Sequence, residues 1–206
     1  MTSFKFVSAF VFLSMVILSV SCRKDEYKIV TVTGEIPASR MGITLPHEHV
    51  LFDLAMIDSI GFHKYNKDSV IRRMLPLFEE LKPFKVQTFV DGTPEFMGRD
   101  PKLLADLSRK TGINIITNVG WYAADNGRHL PREIKDMSAE EIALIWIGEA
   151  KNGIGNTGIK PGVISIAIDS IGLSENDKKL VAAACITHLE TGLTIMSHTG
   201  AAAGAY

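Results

Sequence analysis

Short β-type runs alternate with longer helix-type stretches along most of this 206-residue chain, and that alternation limits the fold more than any single residue does. Lys28 to Val32 reads as a strand that admits a hairpin with Glu35-Ile36, before a turn over Pro37 to Gly42. Ile43 to Leu45 is a second strand. Asp68 to Lys82 is predicted as a helix, because Val70, Met74, Leu77, Phe78 and Leu81 recur at helical spacing and Pro83 stops it. The alternation then continues with strands over Val86 to Val90, Ile113 to Val119, Val163 to Ile168 and Leu193 to Ser197. Between them lie helices over Pro101 to Lys110, Ser138 to Lys151 and Ser174 to Thr191, with Ser138 and Glu141 spaced as a capping box and Gly112 and Gly192 just past helix ends.

Strands separated by helices must run parallel, joined by right-handed crossovers. Five such units fit either an open doubly wound sheet or part of a (β/α)8 barrel. The polar residues separate the two. His47, His49, Asp91, Asn118, Asp169 and His198 all fall at C-terminal ends of predicted strands, the end where a barrel gathers its chemistry. An open sheet would concentrate its chemistry at one switch point, and no GxGxxG loop follows any strand here. The expected fold class is therefore α/β, a TIM-type (β/α)8 barrel truncated after the fifth strand.

The first 22 residues stand apart from this pattern. Lys5 precedes an apolar run from Phe6 to Val20, which ends in small residues before Cys22 and Arg23. A charged start, an apolar stretch too short to span a bilayer and a small-residue cut describe a secretory signal peptide. Cys22 sits where bacterial lipoproteins carry their lipidated first residue, so residues 1–22 are expected to direct export and lipid anchoring in the cell envelope, 23–27 to act as a tether and 28–206 to fold. Cys185, within an apolar helical stretch, is expected to be buried. With 22 basic against 23 acidic residues and no basic stripe, nucleic acid is not an expected partner.

Two histidines at alternate positions of a strand project to one face, so His47 and His49 are candidate ligands of one divalent metal ion, while Glu48 between them points away. Asp91 is open between two roles, capping the turn that follows it and facing a substrate.

Four separated segments extend this reading. Thr44 to His49, Asp91-Gly92-Thr93 with Gly98-Arg99-Asp100-Pro101, Gly158 to Gly162, and Thr191 to Gly200 together resemble the phosphotriesterase family of the amidohydrolase superfamily, over about Lys28 to Tyr206. The resemblance implies a barrel with two metal ions, usually zinc, hydrolysing small-molecule phosphotriesters, lactones or related esters, and it admits a homodimer. It assigns His47 and His49 to one metal and His198 to the other, and it places Trp121 and Tyr122 as an aromatic wall against substrate. Two ions about 4 Å apart would share a hydroxide and polarise the scissile group.

Two departures qualify the resemblance. Ser165 stands where the family has a metal-bridging lysine, and a serine is too short to bridge. Lys160 precedes the strand, and Asp169 lies about 13 Å further along it at strand rise. The sequence also stops at Tyr206, before the family's later histidine and aspartate ligands. One metal ion or none is therefore expected. Three functions stay open: a phosphotriesterase-type hydrolase only partly represented here, a non-catalytic envelope lipoprotein retaining the fold, and a lactonase-like amidohydrolase with a rearranged metal site.

Overall fold

A computed structural model describes residues 27–52, 65–123, 127–169 and 172–199. The expected signal peptide and Cys22 lie outside the described residues. Strand β1 (Lys28–Thr31) pairs antiparallel with β2 (Gly34–Pro37), with Ile29 opposite Ile36. The hairpin docks on the main sheet, where Val32 N donates to Ile115 O at 2.8 Å. It packs so closely that a Cβ on Gly162 would lie 2.6 Å from Val30 O, which leaves room for glycine alone.

The main sheet carries five parallel strand positions in sequence order. These are β3 (Ile43–Glu48), β4 (Val86–Asp91), β5 (Asn114–Ile116) continuing into β6 (Asn118–Val119), β7 (Val163–Ile168) and β8 (Thr194–Thr199). Neighbours pair as β3-β4-β5 and β6-β7-β8, all parallel. The expected third strand, Ile113 to Val119, is thus split at Thr117. Its carbonyl accepts Gly162 N at 2.9 Å, so the strand leaves β4 and passes to β7 at that residue.

Helices α1 (Lys67–Glu80), α2 (Pro101–Thr111), α3 (Arg132–Lys135), α4 (Ala139–Asn152) and α5 (Glu175–Thr191) cover the sheet. Their starts are written in the sequence. Asn66 and Asp100 accept from the first free N–H groups of α1 and α2, and Ser138 with Glu141 and Ser174 with Asp177 form complete capping boxes. Each cap contributes about 1 kcal/mol. Gly112 and Gly192 close α2 and α5 in the left-handed conformation.

Three local expectations change. Helix α1 ends at Glu80 and contains Pro76, while Pro83 sits in the following 3-10 turn, Lys82–Phe84. The short helix α3 was not anticipated. Cys185 is exposed, because the apolar residues of α5 surround the helix and its sheet-facing side is taken by Leu180, Ala183, Ala184 and Thr187.

Two apolar clusters fill the space between helices and sheet. One gathers Phe78, Phe89, Leu103, Leu104, Leu107 and Ile115 beneath α1 and α2. The other gathers Val119, Trp121, Ile142, Trp146, Ile164 and Leu180 beneath α4 and α5. Among the described residues no helix is long and apolar enough to cross a membrane.

Candidate metal centre

Parallel pairing brings the C-terminal ends of β3 and β8 to the same end of the sheet, and with them three imidazoles. The β3–β4 register shifts between Leu45 and Glu48, and this irregularity lies at Pro46-His47, where proline's missing donor is tolerated. The His47 ring lies 5.3 Å from that of His49 at 67° and 5.3 Å from that of His198 at 70°. One ligand-capable atom from each of the three lies within 4.8 Å of the others. Tetrahedral zinc holds its nitrogens about 3.3 Å apart at ordinary Zn–N lengths, so adjustments on the order of 1 Å would close the set around one ion.

The chemistry of the set fits such an ion. Imidazole nitrogen suits zinc, and His47 Nε2 is buried without a hydrogen-bond partner among the described residues. An orphaned buried nitrogen costs roughly 1–3 kcal/mol, and coordination removes that cost. Burial pushes the pKa of His47 down, with the neighbouring His198 adding to the effect and Glu48 opposing it. Burial, then His47 and His198, push His49 down to about 4. Both rings are therefore neutral at pH 7, the form that ligates metal.

A pH dependence follows for the metal-free chain. His49 titrates near 6.5 when unfolded and near 4 when folded, so between these values the unfolded state binds more protons. Its stabilising contribution is complete above pH 6.5 and is lost as pH falls towards 4. In urea unfolding with chelator present, the stability difference between wild type and His49→Gln is expected to shift in favour of the variant as pH falls from 7 to 4.5. A difference that does not change with pH would contradict the buried neutral imidazole.

Behind His49 the turn after β4 is tightly bonded. Asp91 is 1 % exposed; its Oδ2 accepts Val50 N at 2.8 Å and its Oδ1 accepts Thr93 N at 2.9 Å. Burial raises its pKa to about 6 against the lowering effect of these hydrogen bonds. Asn118 Nδ2 donates to Asp91 O at 2.9 Å and Thr93 O at 2.8 Å. Thr93 Oγ1 lies 3.0 Å from His49 Nδ1. Asp91 thus holds the backbone of the turn that follows β4 and of Val50.

The aromatic pair, in the extended segment just past β6, divides between two faces. Tyr122 turns towards the histidines, its ring 5.9 Å from that of His198, and its hydroxyl donates to Gly92 O at 3.2 Å. Ser165 Oγ donates to the same carbonyl at 2.9 Å and is fully buried. Trp121 turns the opposite way, into the helix-side core, with its ring 5.3 Å from Trp146 and its Nε1 donating to Glu95 Oε2 at 2.8 Å. It does not join the cluster, as successive side chains of an extended segment, here bridged to β7 at Tyr122–Ala167, face opposite ways. Glu95 also meets Arg99, a 2 % exposed guanidinium that Glu149 grips through both oxygens at 2.9 and 3.1 Å.

Two neighbours of the site have no role assigned to them by the sequence. Phe52 packs 4.8 Å from His49 and 6.5 Å from Tyr122, giving the imidazoles a partly exposed aromatic flank. Its only sequence clue is its place directly after the strand-end histidines. Thr93 belonged to a recognised motif, yet its contact with His49 depends on how the β4 turn folds back.

The sequence profile of the phosphotriesterase family matches residues 27–206. The chain is 32% identical over 166 residues to the aryldialkylphosphatase of Saccharolobus solfataricus, covering 81% of this chain and 52% of the relative. It is 26% identical over 200 residues to the N-acetyltaurine hydrolase of Homo sapiens, covering 84% and 56%. The solved organophosphorus hydrolase from Deinococcus radiodurans superposes with a TM-score of 0.73 at 30% identity, covering 86% of this chain and 54% of that one. The chain therefore spans about half the length of the relatives it matches.

Proposed function

This chain belongs to the phosphotriesterase family, and on that premise we propose that His47, His49 and His198 hold one divalent ion, zinc, as part of a centre that hydrolyses small-molecule esters such as phosphotriesters or lactones. The observation that carries the reading is the convergence of three imidazoles with ligand atoms within 4.8 Å, with a buried His47 nitrogen that has no hydrogen-bond partner among the described residues. A zinc ion on three imidazoles supplies a Lewis acid and, in its open position, a water of lowered pKa. The protein's own residues supply the rest: neutral imidazoles as ligands, and Phe52 and Tyr122 as an apolar flank for a leaving group.

One ion, rather than the pair usual in the family, is supported by Ser165. Its hydroxyl is spent on Gly92 O and is too short to bridge two metals. The same residue favours a second reading, an envelope lipoprotein that keeps the fold without turnover, anchored through Cys22 after export. The apolar run before that cysteine supports the anchoring.

With Ser165 bonded to Gly92 O, a second ion has no side chain there to share with the first. The zinc-loaded 206-residue chain is expected to bind metal yet to hydrolyse a chromogenic phosphotriester or lactone no faster than buffer. Turnover that a chelator abolishes and zinc restores would overturn the one-ion half-site and assign full activity to these residues.

A further inference from the structure

The end of the sheet opposite the histidines exposes two aromatic side chains to solvent, Tyr27 at 87 % and Phe84 at 71 %. Phe84 closes the 3-10 turn Lys82–Phe84, and Lys85 after it takes a left-handed φ of 56°. Tyr27 joins the same face through its carbonyl, which accepts Ala38 N at 2.7 Å, two residues before Arg40. Arg40, Lys82 and Lys85 line one groove, with Asn114 at the start of β5. Arg40 and Lys85 form no ion pair among the described residues, while Lys82 meets Glu79 at 2.5 Å. Lys110 in the last turn of α2, and Lys160, close enough to Glu35 to lower its carboxyl pKa, add two more cations. Of the acidic side chains around them, Glu35 is paired with Lys28 and Glu79 with Lys82, and Glu80 ends α1, so the face is net positive.

Exposed aromatic rings flanked by cations match the chemistry of a bilayer surface. Rings of this kind settle at headgroup level, and Lys and Arg are drawn to anionic headgroups. A dissolved anion would engage the cations and leave both rings in water. The sequence also sets the anchoring cysteine beside this face: Tyr27 follows Cys22 by five positions, and an extended chain of that length reaches at most about 18 Å. We propose that the face formed by Tyr27, Arg40, Lys82, Phe84 and Lys85 docks on a membrane surface of anionic lipid, with both rings among the headgroups. Strand β4 carries the chain roughly 17 Å, at strand rise, from this face to the turn against His49, so the metal centre opens away from the lipid. The contribution of Cys22 rests on the anchoring proposed above; the attraction of the face to anionic lipid does not.

The test uses Phe84→Trp in the full chain and reads its fluorescence on vesicles of brominated phosphatidylcholine, with and without phosphatidylglycerol. Trp121 and Trp146 are 2 % and 1 % exposed and supply a background that the bromines do not reach. Phe84→Trp is expected to be quenched on vesicles containing phosphatidylglycerol and to lose most of that quenching at about 1 M salt, where screening cuts electrostatic reach to about 3 Å. Leu173→Trp, a 40 % exposed position after β7 at the histidine end, is expected to stay unquenched. Adding Arg40→Gln and Lys85→Asn to Phe84→Trp removes two cations, and asparagine tolerates the left-handed turn; the docked-to-undocked ratio is expected to fall roughly 30-fold, about fivefold for each cation. Phe84→Trp unquenched on phosphatidylglycerol vesicles, or quenched equally on phosphatidylcholine alone, overturns the proposal. Equal quenching of Phe84→Trp and Leu173→Trp overturns it as well. Mass spectrometry of Cys22 after bacterial expression reads the anchor separately: an unmodified Cys22 with Phe84→Trp quenched overturns the anchoring and leaves the docking face standing.

Discussion

Replacing Trp121 by alanine is expected to destabilise the fold by about 3–5 kcal/mol, the range for emptying a buried tryptophan site. The side chain is 2 % exposed and stands edge-on to Trp146 and tilted against Phe96, with ring separations of 5.3 and 5.7 Å. Its loss also strips Glu95 of the indole donor at 2.8 Å, next to the buried Arg99. Against a total stability of roughly 5–15 kcal/mol for a domain, the variant is expected to unfold at a much lower urea midpoint. Trp121→Phe keeps most of the volume and loses chiefly the hydrogen bond, so its cost should fall to roughly 1–3 kcal/mol. If Trp121 instead lined a substrate pocket, alanine would weaken ligand binding and leave the midpoint nearly unchanged. Equilibrium unfolding monitored by circular dichroism distinguishes the two.

The double variant His47→Ala, His49→Ala is expected to lose zinc binding by more than about 100-fold, beyond what loss of a supporting contact costs. Two of three nitrogen donors vanish, and His198, exposed on β8, cannot hold an ion alone. The effect on folding should be small and separable, since removing His47 also removes a buried nitrogen that has no hydrogen-bond partner among the described residues. Zinc content measured after gel filtration, beside urea unfolding of the metal-free chains, gives both quantities. Equal zinc in wild type and variant would refute the ligand assignment.

Much of this arrangement is readable from local chemistry. The capping boxes at Ser138 and Ser174 and the glycines closing α2 and α5 appear where short-range hydrogen-bonding rules place them. Placing His47, His49 and His198 at strand ends needed only the order of strands and helices, because parallel crossovers return every strand to the same end. The split of the third strand at Thr117 was not readable, since it depends on a hydrogen bond from Gly162, 45 positions away in the chain. The exposure of Cys185 escaped for a related reason: α5 is apolar around most of its circumference, and only the packing of α4 and the sheet selects its inner face.

The sequence alone determined the element order, the parallel sheet and the residue types that point to a metal-dependent hydrolase family, all consequences of periodicity and short motifs. Tertiary structure decided which of those residues meet. It turned Tyr122 to the imidazoles and Trp121 to the core, set Asp91 to hold backbone, and brought Thr93 and Phe52 against His49. The reason is physical: strand alternation and helical period act over a few residues, whereas the face a strand presents and the partner a turn finds depend on register and packing between segments distant in the chain.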